Sequence, residues 1–225
     1  MRIHSIFDSI SGEAGPVIPQ GAWTTFIRTQ GCNCRCQYPC DTFDSQSIYG
    51  GQELNIDQIL EHCTSKNILI TGGEPMIQPE LPQLIALLDS QRYNVQVETN
   101  GTIWDFPKTA DVGYAIDIKC PCSGMENKMP SPYDLIPHLQ MLTARCSAML
   151  KFVVKDKNDV DFAVRYIETL AASTLLLHFA LSPIDGLDSS RVVPYFLKWM
   201  RETLPSSVWH RIIISVQIHK LLGLA

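Results

Sequence analysis

The sequence has no long apolar run and no block of basic residues. Its apolar stretches all fall short of the roughly 20 residues that a membrane-crossing helix requires. Charged side chains make up only 18% of the chain, and 23 acidic residues against 18 basic ones leave a net charge of -5. Without a run of Lys or Arg there is no electrostatic footprint for nucleic acid. Neither nucleic acid nor membrane is therefore expected as a partner. Internal repeats and low-complexity segments are missing too, which argues against solenoid and disordered classes. The opening segment Met1-Arg2-Ile3-His4-Ser5-Ile6-Phe7-Asp8 lacks the apolar region and small-residue cleavage site of a signal peptide, so a cytoplasmic location is expected. With 225 residues, 45% of them apolar, the chain can bury a full core, and one domain spanning 1–225 is the expectation.

Cysteine, by contrast, is abundant and unevenly spread. Of eight in total, at positions 32, 34, 36, 40, 63, 120, 122 and 146, four crowd into Gly31-Cys32-Asn33-Cys34-Arg35-Cys36-Gln37-Tyr38-Pro39-Cys40-Asp41-Thr42. A disulfide framework suits small secreted domains that cannot build a core, and this chain can build one. Thiolates packed this closely suit zinc or iron–sulfur chemistry. Cys32, Cys36 and Cys40 recur every four residues. Three thiolates on a [4Fe-4S] cluster leave one iron free for a ligand. A structural zinc would instead recruit a fourth ligand from Cys34 or from the Cys120-Pro121-Cys122 pair.

The rest of the chain alternates between two periodicities. Apolar, β-branched runs at Trp23–Thr29, Asn67–Thr71, Val95–Glu98, Tyr114–Lys119, Met149–Lys155, Leu175–Leu181 and Arg211–His219 predict strands. Between them, apolar residues spaced by three and four predict helices at Ile56–His62, Leu81–Leu88, Asp134–Leu142 and Asp159–Ala171. Pro79 fits a helix start, and Asn158 or Asp159 fits the cap of the last helix. The stretch Pro121–Pro132 reads as a long loop. Such alternation predicts an α/β fold with a parallel sheet or partial barrel. In such sheets ligands gather at the carboxyl ends of the strands. Those ends carry the cysteine stretch, Thr71-Gly72-Gly73-Glu74-Pro75, Glu98-Thr99-Asn100-Gly101, Asp117-Ile118-Lys119 and Ser182-Pro183. The two glycines after Thr71 allow close backbone approach to a ligand, and the neighbouring carboxylate can accept from an ammonium group.

A cysteine loop after one strand and a Gly-Gly-Glu-Pro turn after the next resemble the radical S-adenosylmethionine superfamily. Further segments narrow the resemblance to the 7-carboxy-7-deazaguanine synthase family: Ser9-Ile10-Ser11-Gly12-Glu13, Phe26-Ile27-Arg28, Asp41-Thr42, Val97-Glu98-Thr99-Asn100-Gly101, Asp117-Ile118-Lys119 and Val216-Gln217-Ile218-His219-Lys220. The resemblance implies an incomplete parallel (β/α) barrel and a Mg²⁺-dependent ring contraction. In it, 6-carboxy-5,6,7,8-tetrahydropterin becomes 7-carboxy-7-deazaguanine with loss of ammonia, a step toward queuosine and other 7-deazapurines. The implied cofactors are a [4Fe-4S] cluster, S-adenosylmethionine and Mg²⁺. Flavodoxin or ferredoxin is the implied electron donor, and a homodimer the implied assembly.

Residue by residue, the resemblance assigns Cys32, Cys36 and Cys40 to the cluster and the Thr42 hydroxyl to Mg²⁺. It assigns Ile10, Ser11, Gly12, Glu13, Arg28 and Thr71 to the pterin pocket. Gly73 and Glu74 would take the methionine end of S-adenosylmethionine, with Pro39, Cys40, Asp41, Asp117, Ile118, Lys119, Ser182 and Pro183 bordering that cofactor. The chemistry of the side chains is compatible: Arg28 can clamp a carboxylate and Glu13 can accept from an aminopyrimidine edge. Arg28 can equally pair with Asp41 or Glu98 as a structural element.

The chain departs from the family pattern in three places. Three residues, Gln37, Tyr38 and Pro39, separate the second and third cysteines where two are usual, and Cys34 offers an alternative to Cys32. Ser11 stands where glutamine is common. Cys120-Pro121-Cys122 falls where the family has other loop residues, and no auxiliary cluster is expected there. Of the six histidines only His219 lies in a family-like segment. A radical activase acting on a partner protein shares the cluster loop and the Gly-Gly-Glu-Pro turn, but has no reason to carry Ser11-Gly12-Glu13 with Asp41-Thr42. A non-catalytic zinc module is the third reading.

Overall fold

The computed structural model describes the chain apart from residues 108–110, 174, 176, 185 and 225, with 186–189 described by backbone only. Among the described residues nine strands form one sheet: β1 (Arg2–Ile10), β2 (Trp23–Thr29), β3 (Gln52–Glu53), β4 (Asn67–Gly72), β5 (Asn94–Thr99), β6 (Val112–Asp117), β7 (Ser147–Val154), β8 (His178–Pro183) and β9 (Ile212–Ile214). Their order is β3-β1-β2-β4-β5-β6-β7-β8-β9. From β2 to β9 every pairing is parallel, and β1 joins β2 and β3 antiparallel. Helices α1 (Ile56–Glu61), α2 (Leu81–Ser90), α3 (Pro132–Thr143), α4 (Lys157–Ala171) and α5 (Gly186–Thr203) cross between parallel strands, with short turns α6 (Ser206–Trp209) and α7 (Ile218–Leu221) near the end. β3 and β9 have no mutual pairing among the described residues, so the barrel is incomplete, as the resemblance implies and in keeping with one of the two architectures left open by the alternation.

The period-2 alternation of the strands sorts their side chains. One parity, including Ile27, Ile68, Ile70, Val95, Val97, Tyr114, Ile116, Leu150, Phe152, Phe179 and Leu181, packs with the buried faces of the helices into the main core. The other parity faces inward. There Ala115, Met149 and Ala180 form a small second cluster with Ala14 and Ile213. Small residues are needed because the chain after β1 runs across the inside of the curved sheet. Gln96 of β5 receives the Ile18 amide, Ser215 receives the Ala14 amide, and a Cβ on Gly113 would run into Val17.

The element bounds differ from the sequence reading where local signals misled it. The Arg211–His219 run yields only Ile212–Ile214 as strand, and His219 lies on α7. The Leu175–Leu181 run shifts to β8, and its residue 176 lies outside the described residues. Helix α2 begins at Leu81 with Pro82, not Pro79, in its first turn. Asp156 caps α4 by accepting the amides of Asn158 and Asp159. Asp159 is instead buried and accepts from the Cys122 and Lys155 amides. Within Pro121–Pro132 two 3₁₀ turns form, at Pro121–Ser123 and Glu126–Lys128. Helix α5, which carries Pro194 inside it, has no counterpart in the sequence reading.

Candidate active site

The carboxyl ends of the parallel strands converge on one rim. Two adjoining cavities open there and share Glu13, Asp41, Thr42, Thr71, Glu98 and Lys220 as a common wall. The first is also lined by Cys32, Cys34, Cys36, Pro39, Cys40, Gly73, Asp117, Lys119, Ser182 and Pro183. The second is lined by Ile10, Gly12, Arg28 and His219, with the rings of Phe7 and Phe26. Of the residues assigned from sequence, Ile10, Gly12 and Arg28 line only the second cavity, Glu13, Thr71, Asp41 and Thr42 line both, and most of the others line only the first.

The cysteine loop is held by its backbone. Gly31 and Cys32 donate to the Ser45 and Gln46 carbonyls, and the Gly31 carbonyl accepts from Glu74 at 2.8 Å. Gly73 donates to the Thr29 carbonyl, and its Cα lies so close to the Gly31 carbonyl that a Cβ has no room. Cations neutralise carbonyls around the loop: Arg35 reaches the Cys32 and Cys34 carbonyls, and Lys128 reaches that of Asn33. All four thiols are free. Among the described residues no three Cys, His, Asp or Glu side chains converge on a position that a single ion would take. A tetrahedral zinc needs ligands about 2.3 Å from one centre, whereas a cluster presents a separate iron to each thiolate. Cys32, Cys34, Cys36 and Cys40 all line the first cavity, so soft thiolates of the kind a cluster takes are gathered there.

The extra residue in the loop has a visible consequence. Gln37 donates to the Ser123 carbonyl and packs against Gly124, while Tyr38 turns inward and accepts from Lys119 at 3.2 Å. Lys119 also meets Asp117 at 2.6 Å, and burial, which favours the neutral amine, is outweighed by Asp117, Tyr38 and Cys36, so its pKa rises. The other oxygen of Asp117, Oδ1, is buried with no partner and borders the first cavity. Thr42 donates to the Gly72 carbonyl at 2.8 Å and lies 3.6 Å from the Cys40 sulfur, leaving hydroxyl lone pairs at the junction of the two cavities.

The second cavity has a charged floor. Glu13 pairs with Lys151 of β7 and accepts from Gln217 at 2.7 Å. Burial raises the Glu13 pKa, but Lys151 and Gln217 outweigh it and the net shift is downward. Glu98 accepts from Thr71 at 3.0 Å, and its burial, only partly countered by Lys151, pushes its pKa up. Gln217 and Lys220 both bond Asp41, at 2.8 Å each, so the segment after β9 straps the cysteine loop to Glu13. That network bears on the two readings of Arg28. Asp41 and Glu98 are engaged elsewhere, and Arg28 has no ion pair among the described residues. Its guanidinium lies 5.0 Å from the Phe7 ring centre, and its Nε is buried without a partner. Burial pulls its pKa down while Glu98, Asp41 and Asp44 hold it up. An unpaired guanidinium facing a cavity is a receptor for an anionic group.

Three assigned residues keep their side chains out of the cavities. Ser11 is buried, its hydroxyl bonded to the Glu13 carbonyl, so it shapes the turn. Ile118 belongs to the main core. Glu74 is 0% exposed, and its carboxylate accepts from Met76 N, Thr99 Oγ1 and Asn100 N at 2.9, 2.7 and 2.6 Å. It therefore has no free oxygen for an ammonium group, and what the turn presents to the cavity is Gly73. Outside the rim, Cys120 and Cys122 sit against the Ile118 and Val153 carbonyls. The sequence reading did not single out Lys151, Glu98 or the strap residues Gln217 and Lys220 as site residues. A signal was present for the first two: each has the inward parity of its strand, opposite to the core residues.

A scan against protein-family models finds no match. Curated relatives do match along the whole chain. A 7-carboxy-7-deazaguanine synthase from Methanospirillum hungatei is 31% identical, covering 100% of this chain and 86% of that protein. Enzymes of the same name from Thermoplasma acidophilum and Aquifex aeolicus are each 30% identical, covering 99% and 100% of this chain and 97% and 94% of theirs. Among solved structures, the crystal structure of QueE from Escherichia coli superposes with a TM-score of 0.63 at 22% identity, covering 96% of this chain and 93% of that one. At that identity the likeness bears on the fold, and the fold agrees.

Proposed function

The chain belongs to the family of 7-carboxy-7-deazaguanine synthases, and we propose that it catalyses their ring contraction at the two joined cavities of the rim. The substrate would be 6-carboxy-5,6,7,8-tetrahydropterin and the product 7-carboxy-7-deazaguanine, with ammonia released. The observation that carries this reading is the unpaired Arg28 facing a cavity whose wall, at Asp41 and Thr42, continues directly into the cysteine loop.

The donor set fits the implied cofactors. Cys32, Cys36 and Cys40 would hold a [4Fe-4S] cluster; Gly73, Pro39, Asp117, Lys119, Ser182 and Pro183 would border S-adenosylmethionine. Once bound, the cluster and S-adenosylmethionine would supply one-electron reduction and radical hydrogen abstraction. Thr42 would give one oxygen to Mg²⁺, which must then draw its other ligands from water and substrate.

The chain's own residues do the holding. Arg28 would clamp the substrate carboxylate with charge-assisted hydrogen bonds. Glu13, kept ionised by Lys151, would accept from the aminopyrimidine edge. Thr71 and Glu98, already bonded to each other, would meet the ring system from β4 and β5. The Gln217–Lys220 strap would fix the distance between the substrate floor and the cysteine loop. Residues 1–225 would act as a single unit, reduced by a flavodoxin or ferredoxin and paired as a homodimer.

The test is anaerobic reconstitution with iron and sulfide, then incubation with dithionite, S-adenosylmethionine, Mg²⁺ and the tetrahydropterin. Formation of the ultraviolet-absorbing deazapurine is expected. A reconstituted protein that cleaves S-adenosylmethionine but forms no deazapurine would overturn the substrate assignment. A colourless protein holding one zinc would overturn the cluster.

A further inference from the structure

Asn100, at the turn after β5, is almost fully buried beside the cysteine loop, and its amide has no part in the roles given above. We infer that Asn100 is a positioning residue that sets the reduction potential of the cluster by donating a hydrogen bond to the Cys32 sulfur. This rests on the proposed assignment of Cys32 as a cluster ligand.

The orientation of the amide follows from its partners. Asn100 Oδ1 lies 3.1 Å from the Thr102 backbone nitrogen, which can only donate, so the oxygen must face it. Nδ2 therefore faces the other way, 3.8 Å from Cys32 Sγ and 2.7 Å from Asn33 Oδ1. Asn33 Nδ2 in turn donates to Thr102 Oγ1 at 2.8 Å, and that hydroxyl donates to Asn100 Oδ1 at 2.7 Å. The three side chains form a closed ring in which each donates to the next. The backbone of Asn100 is pinned as well, through its N–H to the buried Glu74 carboxylate at 2.6 Å. The result is a fixed N–H dipole aimed at a sulfur that already accepts from the Cys34 amide at 3.4 Å.

Hydrogen bonds to cluster sulfurs are one of the protein's means of setting potential, because they offset the negative charge that accumulates on reduction. Removing the donor should make the cluster harder to reduce. Placing a carboxylate oxygen there should do so further.

The experiment is an EPR-monitored redox titration of the reconstituted enzyme, without substrate, comparing wild type with Asn100→Asp and Asn100→Ser. Both variants should shift to lower potential, Asn100→Asp further. For Asn100→Asp the expected loss is at least tenfold in the reduction equilibrium, or about 59 mV for a one-electron couple. A variant cluster that titrates at the wild-type potential overturns the inference, even if its iron content or thermal midpoint has changed. Wild-type enzyme labelled with ¹⁵N at the asparagine side-chain amide gives an answer independent of how the variants load. Pulsed EPR of its reduced cluster should show coupling to an amide nitrogen, and no such coupling overturns the inference. A wild type that binds no iron and sulfide would instead sink the cluster assignment itself.

Discussion

At the scale of single residues, Arg28 and Glu74 show how burial separates a group kept for a ligand from one used by the fold. Arg28 sits among acidic residues yet pairs with none of them among the described residues, which leaves its charge available under the proposed clamp. Replacing it with Lys keeps the charge but loses the planar fork. Hydrogen bonds to charged groups contribute about 1.5–3 kcal/mol, so Arg28→Lys should raise the substrate KM roughly 10- to 100-fold. The thermal midpoint should hardly move, since no ion pair is broken. Steady-state kinetics at saturating S-adenosylmethionine would check this, and an unchanged KM would refute the clamp. Glu74 is the opposite case. Three donors hold its carboxylate, yet burial, the largest influence, pushes its pKa up to about 7 from an ordinary 4.5. Between those values the folded chain keeps a proton that the unfolded chain releases. Stability therefore falls as pH rises through that window, by up to roughly 3 kcal/mol. Glu74→Gln should lose this dependence while being less stable overall, because its amide would oppose a backbone N–H. Urea unfolding of both proteins at pH 5 and pH 8 measures the difference, and equal slopes with pH would refute it.

At the scale of elements, the site is a set of strand ends brought to one level by parallel pairing. The sequence shows the strands plainly where apolar runs are long and bounded, as at β4, β5 and β7. It overextends β9, because the apolar residues from 212 to 218 continue past the last ladder pairing into α7. Helix α5 has no counterpart in the sequence reading, although Val192 and Phe196 on it are buried. Lys151 illustrates a missed signal of another kind. A lysine inside the run Met149–Lys155 looks like an interruption until parity is considered, and then it marks the inner face. The turn after β4 is legible in sequence, but its use is not. The Gly-Gly pair reads as an opening for a ligand, and in the structure Gly73 also fits a cysteine-loop carbonyl against the turn. A methyl group there meets backbone on both sides, at the Gly31 and Ser45 carbonyls, and neither can rotate away. Gly73→Ala should consequently cost about 1–3 kcal/mol by overpacking and displace the start of the cysteine loop. Iron content after reconstitution should drop to under half of wild type. Normal iron loading with an unchanged thermal midpoint would show that the loop does not depend on this contact.

At the scale of the whole molecule, the barrel is open between β3 and β9, and side chains rather than strand pairing tie β9 to the inner face and the cysteine loop. The Gln217 and Lys220 strap, the Ser215 contact with Ala14 and the Glu13–Lys151 pair join the last strand, the first turn and the middle of the sheet. None of these long-range pairings is visible in spacing along the chain, since partners lie up to 204 residues apart. A group bound across that rim in the folded state alone adds stability by mass action. The cysteines allow the effect to be dissected. Cys32, Cys36 and Cys40 are half-buried at the cavity, while Cys34, which also lines it, is only 2% exposed and its carbonyl accepts from Arg35. Reconstitution with iron and sulfide should raise the thermal midpoint of the wild type by several degrees. Serine at 32, 36 or 40 should abolish both the iron and the rise, because a hydroxyl is a poor substitute for a soft thiolate. Cys34→Ser should keep both. Should Cys34→Ser lose the cluster while Cys32→Ser retains it, the ligand set would begin two residues later, and the hydrogen bonds now aimed at Cys32 would have to be reassigned.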